Sequence, residues 1–172
     1  ATAKLPAVVV KRRGKGRLHY GVVVSMQPSD PRATAQRGLG VTRTFRVARG
    51  AFSPPLAIRT GEIVAMDITL TSPAPLRHVM LEAPLPAGLA PIENPTPPPL
   101  VGVRGAWVTH EQLRPERVLL FAEDLPPGDH RHTIYLRTTA PGRYELPRAH
   151  AHALYAPEIN GHTAAGTFVV KR

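Results

Sequence analysis

Two His-x-His pairs, His130/His132 and His150/His152, are the side chains in this 172-residue chain whose spacing most directly offers chemistry. On a β-strand, residues i and i+2 share a face, so each pair can set two imidazoles side by side, half of a zinc site. Zinc needs at least a third protein ligand, and no carboxylate cluster converges on either pair. Both pairs are therefore expected as turn histidines, and neither a metal nor another cofactor is expected. The four serines, Ser25, Ser29, Ser53 and Ser72, stand in no nucleophile-elbow context. No pair of carboxylates is spaced for acid–base work. Cysteine is absent, which removes disulfides, thiolate catalysis and Cys-ligated zinc. The basic run Lys11–Arg17 lacks the spacing of a phosphate-cradling loop and the Ser/Thr that should follow its lysine. It also opens a strand pattern instead of a helix. No catalytic residue is assigned, and the chain is read as a non-enzyme.

The formal net charge of +10 raises nucleic acid as a partner. Against it, the basic residues are mostly arginines spread along the whole chain, and no aromatic-plus-basic stacking motif accompanies them. A solvated, arginine-rich surface is the reading adopted. No run approaches the length of a membrane-spanning helix, and no membrane contact is expected. No stretch has the layout of a secretory leader, so any localisation signal is expected upstream of Ala1.

The elements that must position these residues are strands. Apolar residues make up 42% and aromatics only 5%, so the core must rest on Val, Leu, Ile and Ala. With 20 prolines and 14 glycines punctuating the chain, long helices have no room. Leu5–Val10 and Leu18–Met26 read as a hairpin with Lys11–Arg17 at its tip. Residues 27–38 read as a linker. From Leu39 onward, seven to nine short strands are expected, with turn signals about every ten residues. The clearest is Gly61–Thr71, where Val64, Met66, Ile68 and Leu70 share the face assigned to the core. The expected architecture is all-β: an antiparallel β-sandwich preceded by a short β-hairpin.

Several segments fall in an order that carries more than any one of them. They are Gly61-Glu62 at a strand entry, Leu85-Pro-Ala-Gly-Leu89, Glu93-Asn-Pro95 and His110-Glu111 before the strand Glu116–Phe121. The tyrosyl strand Thr133–Thr139, the turn Ala140-Pro-Gly142 and Tyr155-Ala-Pro-Glu158 follow. Together they resemble the C-terminal macroglobulin-like domain of the bacterial alpha-2-macroglobulin family, large protease-trapping proteins with a reactive thioester. Gly14–Tyr20 is similar to the strand that follows the thioester domain there. Two positions depart from the pattern: His19 for a Tyr and Leu154 for a Met.

The resemblance implies two units. Residues 1–30 would be the returning strands of a preceding CUB-like domain, and residues 39–172 the macroglobulin-like sandwich. It also implies partners: the thioester and CUB-like domains of the same parent chain, and target proteases through the parent. The family works in the periplasm or cell envelope. In it a Met-Tyr pair lies over the thioester and keeps water away until a protease cuts the bait region, a role the resemblance carries to Leu154 and Tyr155. An apolar side chain and an aromatic ring suit a water-excluding cover. The residues themselves leave another reading of Tyr155 open, a corner tyrosine whose ring packs and whose hydroxyl bonds a backbone carbonyl. The rival reading of the whole chain is a free-standing adhesion or carbohydrate-binding sandwich, which calls for a row of exposed aromatics.

Overall fold

The computed structural model describes residues 9–11, 13–22, 34–47, 58–93 and 104–172. Among them there is no helix, and thirteen strands form three sheets. The strands are β1 (Ala35–Arg37), β2 (Gly40–Val47), β3 (Ile58–Arg59), β4 (Ile63–Ser72), β5 (Leu76–Pro84), β6 (Leu89–Pro91) and β7 (His110–Arg114). They continue with β8 (Arg117–Leu125), β9 (Gly128–Thr138), β10 (Gly142–Leu146), β11 (His150–Ala153), β12 (Ala156–His162) and β13 (Gly166–Lys171). One sheet runs β1-β12-β11-β5-β8-β7, a second β2-β4-β9-β6, and a third β10-β13-β3. All pairings are antiparallel except β13 with β3. The third sheet is tied to the end of the second by backbone bonds between Gly61 or Glu62 and Thr138.

A single apolar core draws on all three sheets, so the six-stranded sheet faces the other two across it. Strand β4 shows how the sequence builds this. Val64, Met66, Ile68 and Leu70 point inward and are fully buried, as their period-two spacing requires. Each contributes about 2 kcal/mol on leaving water. The opposite face of β4 is held by polar contacts. Asp67 accepts from Arg46 Nε on β2 at 2.7 Å and from the Thr133 hydroxyl on β9 at 2.7 Å. The same core takes in Val79 and Leu81 of β5, Val118 and Leu120 of β8, and Ala151 of β11.

Thirteen strands exceed the seven to nine expected from the sequence. Much of the excess has two sources. β1, β3 and β6 are two or three residues long, too short for alternation to register. β11 does alternate, but its inward residues are Ala151 and Ala153, whose methyls carry little hydrophobic signal beside His150 and His152. The sandwich also begins before Leu39, because Ala35–Arg37 already pairs with β12. Residues 9–11 and 13–22 carry no strand, and Val10 and Val22 are exposed, outside the core. The remaining parts of the expected Leu5–Met26 hairpin lie outside the described residues.

Arg43 ties separate loops together. From β2 its guanidinium donates to the carbonyl oxygens of Pro84 (2.9 Å) and Pro147, and it lies 5.6 Å over the Phe45 ring. Neither carbonyl brings a full negative charge. Burial therefore pushes the guanidinium down to about 10.

Candidate functional site

Leu154 and Tyr155 form the two-residue turn between β11 and β12. The sequence pattern places the pair on a loop between the final two strands; the structure places it one hairpin earlier, since β13 follows β12. The hairpin stands where it does because β11 pairs with β5 on one side and with β12 on the other. Its tip projects past the last paired residues, Ala153 with Val79, and among the described residues no strand covers the turn. Leu154 is 43% exposed and Tyr155 84%. A ring so open is not a packed corner tyrosine. The corner arrangement is found instead at Tyr144, whose hydroxyl donates to the Ala140 carbonyl at 3.0 Å.

One residue under the turn was not legible in the sequence. His78 on β5 has φ +52, the single non-glycine residue with positive φ among the described residues. Left-handed backbone costs a non-glycine residue about 1 kcal/mol or more, and histidine is among the types that tolerate it best. The β5–β8 ladder passes from Arg77–Asp124 to Val79–Ala122 without a bridge at His78. The His78 carbonyl instead accepts the Leu154 N–H at 2.8 Å. Its imidazole meets the Tyr155 ring edge to face, with centroids 5.2 Å apart and planes at 90°. Both turn residues thus rest on His78. Within Arg77–Glu82 the sequence offers only an ordinary strand pattern, so nothing there marks the backbone reversal.

All four histidines of the His-x-His pairs lie on strands, not in turns. His130 donates from Nε2 to the Pro126 carbonyl at 2.7 Å. His132 is buried, and its Nδ1 accepts the Gly105 N–H at 3.1 Å, which leaves Nε2 as the protonated nitrogen of the neutral ring. That nitrogen lies 3.3 Å from Glu111 Oε2, an electrostatic contact without good hydrogen-bond alignment. The contact with His132 holds the Glu111 carboxyl below its ordinary range, against the opposing effect of its own partial burial. Trp107 closes the cluster, donating from Nε1 to the Arg131 carbonyl at 3.1 Å and presenting its ring to both histidines. These contacts fasten residues 104–109 to β9, a packing role. Among the described residues no group of three His, Asp or Glu side chains is disposed to hold a metal ion.

His150 and His152 stack with ring centroids 5.8 Å apart and planes only 7° from parallel. His162 lies opposite His150 on β12 and Glu82 opposite it on β5. Burial pushes the His150 pKa below 6.5, Glu82 works to raise it, and His152 and His162 depress it further. A histidine whose folded pKa is depressed binds its proton more readily when unfolded. Its stabilising contribution is complete above the unfolded value near 6.5 and is lost as the pH falls through that value toward the folded one. The melting temperature of the chain is therefore expected to fall as the pH drops below about 6.5, and His150→Gln should flatten part of that slope. Equal slopes for the two proteins would count against this assignment.

The three sheets, antiparallel except for β13 with β3, pack as a β-sandwich. The chain belongs to the family described as the bacterial alpha-2-macroglobulin MG10 domain, whose model matches residues 38–158. It is 26% identical to an alpha-2-macroglobulin homolog of Nostoc sp. over 95% of its own length and 9% of that protein's. Among solved structures, it superposes on native Escherichia coli alpha-2-macroglobulin from domain MG7 to the C-terminus with a TM-score of 0.74 at 17% identity. That match covers 84% of this chain and 25% of that one. Salmonella alpha-2-macroglobulin reacted with methylamine gives a TM-score of 0.71 at 19% identity, over 84% of this chain and 10% of that one. At such identities these structures speak for the fold. The chain thus spans between 9% and 25% of these three relatives.

Proposed function

We propose that this chain is the non-catalytic C-terminal domain of a bacterial alpha-2-macroglobulin-like protease inhibitor. In this reading it docks against the thioester domain of its parent and shields the thioester until the bait region is cut. The observation that carries it is the exposed Leu154-Tyr155 tip, with Tyr155 at 84% exposure on an otherwise well-packed sandwich. A water-excluding cover must meet its partner across an interface, so in the isolated domain its ring stands uncovered. An internal thioester hydrolyses unless it is kept from water, and an aliphatic side chain beside a phenol ring supplies a dry patch. Leu154 supplies the apolar half without the polarisable thioether of methionine. Residues 1–30 would complete a CUB-like domain in the parent, which would act in the periplasm or cell envelope and meet its target proteases there.

Docking is testable by chemical protection. Nitration mapped by mass spectrometry should modify Tyr155 readily in this 172-residue chain. In the intact parent Tyr155 should be protected, and cleavage of the bait should expose it again. Equal modification in the chain and in the uncleaved parent would rule the docked cover out.

A further inference from the structure

We propose that His78 is the positioning residue of this cover, an inference that rests on reading Leu154-Tyr155 as the thioester shield. The tip has little else to hold it. Tyr155 is 84% exposed, and an exposed phenol on a two-residue turn would sample several rotamers. A cover that samples rotamers leaves its partner open to water for part of the time. His78 restricts both residues of the turn. Its carbonyl accepts the Leu154 N–H at 2.8 Å, and its imidazole lies edge to face with the Tyr155 ring at 5.2 Å. Positive φ at His78 (+52) accompanies both contacts. Strained backbone persists where surrounding structure enforces it, and it concentrates at sites whose geometry must be set in advance. Here the pairs that flank it, Arg77–Asp124 and Val79–Ala122 with β8 and Val79–Ala153 with β11, supply that enforcement. Ordering the turn before docking lowers the conformational cost of covering the partner.

His78→Asn isolates the ring, because asparagine also tolerates left-handed backbone and keeps the carbonyl that holds Leu154. In the full-length parent, free-thiol appearance is followed in uncleaved protein for wild type, His78→Asn, Tyr155→Gly and the double variant, beside melting curves. His78→Asn should speed thiol release about threefold to tenfold, the factor an edge-to-face ring pair is worth, with an unchanged melting temperature. In the Tyr155→Gly background it should add nothing, since His78 acts through Tyr155. If Tyr155→Gly speeds release and His78→Asn does not, the positioning role falls and the cover stands. A gain from His78→Asn that persists without Tyr155, or that comes with a large drop in melting temperature, also overturns positioning. If Tyr155→Gly leaves release unchanged, the cover itself falls, and the role of His78 with it.

Discussion

Gly161→Ala is expected to lower the stability of this chain by about 3 kcal/mol, near the upper end for forcing an extra carbon into a packed site. The reason lies in how the chain changes sheets. Ala35–Arg37 pairs with β12 in the six-stranded sheet, and three residues later β2 is running in the other layer beside β4. The crossing is made at Gly38 and Leu39, with φ +75 at Gly38 and the Leu39 side chain fully inside the core. To make it, the backbone of Leu39 passes directly over Gly161. A Cβ on Gly161 would stand 2.0 Å from the Leu39 carbonyl oxygen and 3.3 Å from that of Ala35. These are backbone atoms on a strand crossing, with no rotamer to move aside. For a domain of this size the loss corresponds to a fall in melting temperature of roughly 10 °C. Gly21→Ala serves as the control, since nothing lies within 4 Å of a Cβ there, and it should change stability by less than about 0.5 kcal/mol. A Gly161→Ala protein that melts with the wild type would show that residues 35–39 are not held against β12.

That clash also shows where sequence reasoning stops. The inward face of β4 could be read directly, because Val64, Met66, Ile68 and Leu70 alternate with residues that solvent or a cross-strand partner can satisfy. Fold class followed from such runs and from the prolines and glycines between them. Gly161 could not be read, since its need is set by a carbonyl 122 positions away in the chain. β11 was hidden for a different reason. His150-Ala-His152-Ala153 alternates as a half-buried strand should, but with alanine as the apolar partner and histidine as a polar one, the pattern suggests a turn as readily as a strand. Leu154 and Tyr155 were legible as a pair through the motif around them. The support beneath them was not, because His78 sits in a plain strand pattern and a positive φ leaves no trace in residue type when the residue is histidine. Trp107 packs with His130 and His132 at the start of the segment that leads into β7.

The second large effect concerns the tip itself. Tyr155 contributes little to the isolated sandwich: its ring is mostly in water, and its neighbour is another exposed ring, that of His78. Removing the ring should therefore leave the melting temperature of the chain within a few degrees of wild type, as for surface substitutions in general. On the proposed reading, the same change in the parent would open a path for water to the thioester. Stability and protection should thus separate in one variant. A residue that merely packed would move both together.

The most direct measurement is the rate of free-thiol appearance in the intact, uncleaved parent carrying Tyr155→Gly, recorded beside its melting curve. The account predicts release faster by on the order of tenfold or more, about 1.4 kcal/mol off the hydrolytic barrier, at a nearly unchanged melting temperature. Thiol release at the wild-type rate, a parent with no thiol to release, or a gain accompanied by a large fall in melting temperature would contradict it.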